Sequence, residues 1–102
     1  MEFIKKCARE RRVFWTYHVN MRLGLRSIPR QMILDSADSF EIIEEYPGDK
    51  YLPSYLIRGV SGSRIFHIVI AVDAENENVR VVTAYYPDPD KWDEGFRKRR
   101  EP

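Results

Sequence analysis

The hydrophobic and polar positions of this chain change their period near residue 40. Before that point apolar residues recur at helical spacing, and after it they alternate or run together over short stretches. The pattern predicts three helices, over residues 2–12, residues 17–26, and a segment that starts at residue 27 and fades at residues 36–39. Thr16 and Ser27 are the predicted N-caps of the second and third helices, with Pro29 in the first turn of the third. Residues 13–15 are predicted to be a short apolar link.

Four strands follow in the prediction, over residues 40–46, 54–59, 64–72 and 79–86. The third is apolar on both faces, which is typical of a central strand. The short polar connections favour an antiparallel meander, because parallel strands need crossovers of about a dozen residues or more. We expect an α+β fold in which N-terminal helices pack on a four-stranded antiparallel sheet. A short helical turn with Trp92 and Phe96 on one side completes the prediction.

Length and composition limit the number of domains and the cellular compartment that we expect. The 102 residues suit one domain, with helices over residues 2–36, a sheet over 40–86, and a C-terminal turn and basic tail over 87–102. Cys7 is the single cysteine, so an internal disulfide is excluded and a reducing compartment is expected. Charges crowd the start with no apolar run behind them, which predicts no secretory signal. No uncharged run approaches the ~20 residues of a membrane helix, so we expect a cytoplasmic protein without membrane contact.

Charge is unevenly distributed, although the net charge is +1. Residues 1–30 carry eight Lys and Arg against two Glu, residues 31–96 carry five against thirteen acidic residues, and residues 97–102 carry four against one. The two ends are basic and the middle is acidic. Ends that meet in space would present a positive face to an anionic partner. The alternative is an ordinary solvated surface.

His18, Arg22 and Arg26 recur every four residues on the second predicted helix. This spacing aligns an imidazole and two guanidinium groups on one helical edge. A guanidinium binds phosphate oxygens through paired hydrogen bonds, so the edge is a candidate phosphate-binding surface. The alternative is a solvated stripe beside the core, with His18 hydrogen-bonded to the sheet.

His67 lies in the middle of the third predicted strand. An imidazole is a common general acid or base, and the alternative is a hydrogen-bonded core histidine. Thr83 and Tyr85 share one face of the next strand, and the strand register decides whether that face also carries His67. Tyr85 would stack on or donate to a nucleobase, and Arg58 would stabilise phosphate charge.

Metal and cofactor sites are not expected. His18 and His67 are far apart in sequence, and Cys7 has no partner at a familiar ligand spacing. The glycines at positions 59 and 62 lack the lysine and the following helix of a phosphate-binding loop. We therefore predict no metal ligands and no cofactor.

An ordered set of short motifs runs through about residues 14–100. It consists of His18-x-x-x-Arg22-x-x-x-Arg26-x-Ile28, Ile43-Glu44-x-Tyr46, Pro53-Ser54-x-Leu56, His67-x-Val69, Thr83-Ala84-Tyr85-x-Pro87-Asp88-Pro89, and Trp92 with Phe96 and Arg99. This set resembles the small bacterial and archaeal domain-of-unknown-function family 4258. The family often has glycine where Ser27 stands and a charged residue near Gly24, and both departures concern helix ends.

The resemblance implies a fold like that of RelE/MqsR-type toxins, with N-terminal helices followed by an antiparallel sheet. It also implies a toxin-antitoxin role, with a zinc-finger antitoxin of the MqsA (YgiT) type as partner. The substrate it implies is messenger RNA, free or on the ribosome. RelE-type enzymes rely on several Lys and Arg in the sheet, whereas the predicted strands offer Arg58, Arg64 and Arg80 and no lysine. The chemistry is therefore expected to differ in detail.

Two functional hypotheses remain open at this point. In the first, the chain is a metal-independent endoribonuclease. Its predicted catalytic residues are His67, His18, Tyr85 and Arg58, and its predicted RNA-binding residues are Arg22, Arg26, Thr83 and Ser54. In the second, it is a non-enzymatic module that binds a protein, or RNA without cleavage, and both histidines are structural.

Overall fold

Three α-helices, a 3-10 turn and five strands form the part of the chain that the computed structural model describes, residues 1–48 and 51–101. In chain order they are α1 (Glu2–Arg9), β1 (Val13–Trp15), α2 (Tyr17–Leu25), α3 (Arg30–Asp35), the 3-10 turn (Ala37–Ser39), β2 (Glu41–Tyr46), β3 (Ser54–Ser61), β4 (Arg64–Asp73) and β5 (Asn78–Tyr85). The predicted α+β class is confirmed. None of these helices is long and apolar enough to cross a membrane.

The sheet is mixed and five-stranded, in the order β1-β5-β4-β3-β2. Strands β2 to β5 form an antiparallel meander. Strand β1 lies parallel to β5, with Val13 opposite Val79 and Trp15 opposite Val81. The prediction of four antiparallel strands, with a mere link at residues 13–15, was therefore wrong at this edge. Three residues are too few to show a strand period, and a partner more than sixty residues away fixes their conformation.

Helix α2 ends at a residue with positive φ. Ser27 has φ 58°, and the Ile28 N–H donates to the Leu23 carbonyl at 2.9 Å. This is the Schellman arrangement, in which a left-handed residue closes the last helical turn. Ser27 therefore terminates α2 instead of capping α3, whose N-cap is Pro29. Helix α1 ends in the same way, three residues earlier than predicted.

The hydrophobic core lies between the helices and one face of the sheet. Helix α2 contributes Val19 and Leu23, and β4 contributes Phe66, Ile68 and Ile70, all of them buried. Burying an aliphatic side chain of this size stabilises a fold by about 1.5–3 kcal/mol. Because side chains alternate along a strand, the residues between these in β4 point to the opposite face of the sheet. That opposite face carries His67.

Residues 87–101 cross this opposite face and form what we call the C-terminal strap. The strap is not the predicted helical turn, because Trp92 and Arg99 form an antiparallel bridge. The Asp93 N–H donates to the Lys98 carbonyl at 2.9 Å, and Phe96, at φ 56°, turns the chain back between them. The indole of Trp92 is buried against the sheet. The sheet is thus covered on one face by helices and over part of the other by the strap.

Candidate functional site

His67 lies in the middle of β4, on the face that the helices do not cover. The register places Arg58 of β3 and Tyr85 of β5 directly opposite it. Opposed residues of antiparallel strands point to the same face, so the three side chains form a row across the sheet. The register, which the sequence left open, thus brings together three of the four predicted catalytic residues.

The C-terminal strap closes over this row. The Trp92 ring packs edge-on against the imidazole of His67 with 4.5 Å between centroids, and the Tyr85 ring lies 5.6 Å away. Nε2 of His67 is 2.9 Å from the carbonyl oxygen of Phe96. The residue is 0% exposed. No ligand from solvent reaches the His67 ring in this arrangement.

Burial sets the protonation state of the buried imidazole. Loss of solvation is the main cause that lowers the pKa of His67, and the hydrogen bond to Phe96 opposes this effect. The ring is therefore neutral at pH 7. In a neutral imidazole one nitrogen donates and the other accepts, so Nε2–H donates to the Phe96 carbonyl. Nδ1 is left as a buried acceptor with no partner among the described residues.

Arginine side chains fasten the strap to β2 and β3. The bonds are Arg58 Nε to the Gly95 carbonyl at 2.8 Å, Arg97 Nε to the Glu41 carboxylate at 2.8 Å, and two from Arg99 to the Glu44 carboxylate at 2.8 and 3.0 Å. The hydrogen bond from Arg99 is the main cause that lowers the pKa of Glu44. Arg58 is thus engaged by the strap, although the sequence offered it as a phosphate ligand.

A different part of the predicted set lies exposed along α2 and the outer side of β5. Strand β1 pairs only with the first half of β5, so the second half has no neighbouring strand on that side among the described residues. There Arg26 Nη1 donates to the Ala84 carbonyl at 2.8 Å and to Thr83 Oγ1 at 3.3 Å. His18 and Arg22 are exposed on the preceding turns of the helix. We call His18, Arg22, Arg26 and Thr83 the α2–β5 edge.

The outward face of α2 is apolar. At about 100° per residue, positions 17, 21 and 25 lie on the side of the helix opposite the core positions 19 and 23. The side chains there are Tyr17, Met21 and Leu25, which are 78%, 52% and 84% exposed. We call these three residues the outer stripe. A contiguous exposed apolar patch marks an interaction surface more often than chance. The spacing of four was visible in the sequence, but it fits a buried face equally well.

Ser54 joins neither of these groups. It lies at the start of β3 and lines a groove of about 530 Å³ together with Val69, Ala71 and Arg80. This groove opens on the strap-covered face of the sheet, at the end of the strands away from His67. No sequence pattern indicates this groove, because its walls come from four separate segments.

The sheet separates the two histidines. His67 lies on the strap side, and α2, which carries His18, packs on the helix side. The predicted catalytic set is therefore divided among the described residues, because His18 does not join His67, Tyr85 and Arg58 and the strap occupies the face above His67. Among residues 1–48 and 51–101, no three His, Cys, Asp or Glu side chains form a group that could hold a metal ion.

Residues 15–86 match the family described as Domain of unknown function (DUF4258). The match covers more than half of the chain, and the protein belongs to this family. Comparisons with curated proteins and with solved structures give no match. The matched region contains the whole α2–β5 edge and ends just before the C-terminal strap.

Proposed function

We propose that this protein is a metal-independent endoribonuclease that acts on messenger RNA, and that it does so through the α2–β5 edge. The observation that carries the proposal is the anchoring of Arg26 on Thr83 and on the Ala84 carbonyl at the open side of β5. This bond holds one guanidinium in place at the end of α2, about one helical turn after exposed Arg22 and two turns after exposed His18. The edge therefore combines an imidazole, two cations and a hydroxyl on a solvent-facing surface.

Charge at this edge favours an anionic ligand. Helix α2 contains no acidic residue, and Arg22 and Arg26 add two permanent positive charges about one helical turn apart. The described hydrogen bonds of Arg26 use Nη1 alone, so its other N–H groups can bind phosphate oxygens. A phosphodiester chain lying along the helix would meet both guanidinium groups.

His18 is the proposed base at this edge. In the proposed reaction it takes the proton of a ribose 2′-hydroxyl, the 2′-oxygen attacks the adjacent phosphorus, and the bond from phosphorus to the 5′-oxygen breaks. The products are a 2′,3′-cyclic phosphate and a 5′-hydroxyl, which takes its proton from His18 or from water. Arg22 and Arg26 stabilise the charge on the reacting phosphate. His67, Tyr85 and Arg58 are structural in this proposal.

The role as a toxin with an antitoxin partner rests on the resemblance to RelE/MqsR-type proteins. Helices that precede an antiparallel meander of β2 to β5 support that likeness. A fold-level likeness carries less weight than the geometry of a site, so the α2–β5 edge remains the main support.

Incubation of the purified protein with messenger RNA in EDTA, with and without ribosomes, tests the endoribonuclease. We expect cleavage in EDTA and products with 5′-hydroxyl ends. Expression should also stop growth, and an adjacent antitoxin gene should restore it. A wild-type protein that leaves RNA intact in both settings and does not slow growth would refute the proposal.

Binding of a protein partner is a second candidate function, favoured by the outer stripe. We propose that an acidic segment of the antitoxin, of the MqsA (YgiT) type, covers Tyr17, Met21 and Leu25. The reason is charge complementarity, because the stripe runs directly beside His18 and Arg22 on a helix without acidic residues. A second copy of the chain would bring like charges together on this surface, whereas an acidic partner would neutralise them.

The variant Leu25→Glu tests this second function. Titration calorimetry with purified antitoxin should show clearly weaker binding than wild type, while Phe14→Glu, at an exposed apolar position outside the outer stripe, should bind normally. Light scattering gives the oligomeric state of the free chain. A dimer that Leu25→Glu dissociates would assign the outer stripe to a second copy instead.

A further inference from the structure

The groove beside Ser54 is a concave surface that the proposed reaction leaves unused. Its volume of about 530 Å³ falls in the range of sites that hold small organic molecules. Val69 and Ala71 of β4 and Val82 of β5 give it apolar walls, and Val82 is half exposed. A flat, mostly apolar ring therefore fits the character of the groove better than a charged group does.

Polar groups stand among these apolar walls. The hydroxyl-bearing residues Thr16 and Ser54 line the groove, as does Arg80. The Arg80 side chain is about half exposed, and Nη2 lies 3.4 Å from the carboxylate of Asp73. An apolar surface with a few polar groups is typical of sites that read the edge of a ring while burying its faces.

Tyr51 supplies an aromatic surface at the groove. It lines the cavity and is 85% exposed. Many proteins bind single-stranded nucleic acid through exposed aromatic side chains that lie near positive charges, because unpaired bases stack on the aromatic rings.

The groove is lined by sequence neighbours of residues in the α2–β5 edge. Thr16 lines the groove and also caps α2, since its Oγ1 accepts a hydrogen bond from the Val19 N–H at 3.1 Å. Val82 lines the groove, and the next residue of β5 is Thr83, the anchor of Arg26. A chain whose phosphate lies on Arg26 thus has the groove within reach of a neighbouring nucleotide.

We propose that this groove binds one unpaired nucleobase of the RNA whose phosphate lies on the α2–β5 edge. The inference rests on the proposed function and names its substrate class, which is single-stranded RNA. Duplex RNA cannot use the groove, because its bases are stacked inside the helix. Thr16 and Arg80 supply the polar contacts to the edge of the base, and Tyr51 supplies the stacking surface.

Binding of a short oligoribonucleotide, 2′-O-methylated to prevent cleavage, tests the groove by fluorescence anisotropy. Tyr51→Ala removes the stacking ring, and Ala71→Phe fills the groove. We expect each variant to bind the oligoribonucleotide roughly five- to hundredfold more weakly than wild type. Phe14→Ala, which removes an exposed aromatic ring outside the groove, is the matched control and should bind as wild type. Circular dichroism confirms that each variant is folded.

An abasic site in the oligonucleotide gives the second arm. The abasic site and Tyr51→Ala should each weaken binding, and together they should weaken it no more than either one alone, because both remove the same contact. Duplex RNA of the same sequence should bind more weakly than the single strand, and Tyr51→Ala should leave its affinity unchanged.

Three results would overturn the inference in distinguishable ways. Normal binding by both groove variants, with Arg22→Ala still weakened, would remove the groove and leave the proposed function standing. Wild-type protein that binds no RNA would remove both. In the third result, a free nucleoside monophosphate at low concentration displaces the RNA from wild type but not from Tyr51→Ala, and the abasic site has no effect. That result would assign the groove to free nucleotides.

Discussion

Nε2 of His67 donates to the carbonyl oxygen of Phe96 across 2.9 Å, and this bond joins the middle of the sheet to the C-terminal strap. Two aromatic rings enclose the same imidazole. The bond therefore places His67 in the packing of the molecule and leaves His18 as the imidazole that faces solvent. The proposed chemistry therefore belongs to His18 on α2 and not to His67.

The free energy of unfolding is expected to fall as the pH drops from 7 towards 5. Burial lowers the pKa of His67 in the folded protein below its ordinary value of 6.5, so on acidification the unfolded chain takes up this proton first. The contribution of neutral His67 to the free energy of unfolding is present above pH 6.5. It is lost as the pH falls below that value, by at most ~1.4 kcal/mol per pH unit. Urea denaturation at a series of pH values measures this slope. His67→Phe should flatten it, and an unchanged slope in this variant would contradict the buried, neutral state.

Trp92→Ala should cost about 3–5 kcal/mol of unfolding free energy, since it leaves a cavity under the strap. Tyr17→Ala removes an exposed aromatic ring and should change stability by no more than about 0.5 kcal/mol. Chemical denaturation of both variants gives the comparison. Equal, small losses would mean that the strap is not packed on the sheet.

The order of elements was largely predictable from the sequence, because helical spacing and strand runs depend on local patterns. Residues 40–46 and 64–72 were predicted as strands almost as they occur. The parallel pairing of β1 with β5 was not predictable, since it depends on a contact between distant segments. The strap was missed for the same reason, because Trp92 adopts its conformation through contact with His67 and Arg99.

The candidate site was predictable in its parts and not in its arrangement. The four-residue spacing of His18, Arg22 and Arg26 predicted that they share one face of a helix, and all three are exposed on or just after α2. Which face of the sheet the C-terminal residues cover could not be read from any period. Burial of His67 was therefore not predictable, because it depends on where the strap packs.

Substitutions at two backbone positions near the end of α2 should stabilise the protein. Ser27→Gly relieves the strain of a left-handed conformation, and Gly24→Ala replaces a poor helix former at a position with open space around it. Each substitution should raise the free energy of unfolding by about 1 kcal/mol. Gly59→Ala is the contrasting control, because its added methyl group would lie 2.5 Å from the Phe66 ring. Thermal unfolding should show two increases in Tm and one decrease. A destabilised Ser27→Gly would contradict the assigned end of α2.

Arg22→Ala should weaken RNA binding and reduce its dependence on salt. Each phosphate contact contributes about 0.7 to the slope of log K against log salt for a single strand, so the slope should fall by roughly that amount. Arg9→Ala, at an exposed arginine on α1, should leave the slope unchanged. A slope that is the same in wild type and Arg22→Ala would exclude a phosphate contact at this residue.

The rate of RNA cleavage by His18→Ala and by His67→Phe, measured side by side at a temperature where both are folded, tests the central claim most directly. The α2–β5 edge predicts a loss of about 10²-fold or more in His18→Ala, the usual contribution of a positioned acid or base, and a rate close to wild type in His67→Phe. Normal cleavage by His18→Ala together with an inactive, folded His67→Phe would contradict it and return the chemistry to the strap-covered face.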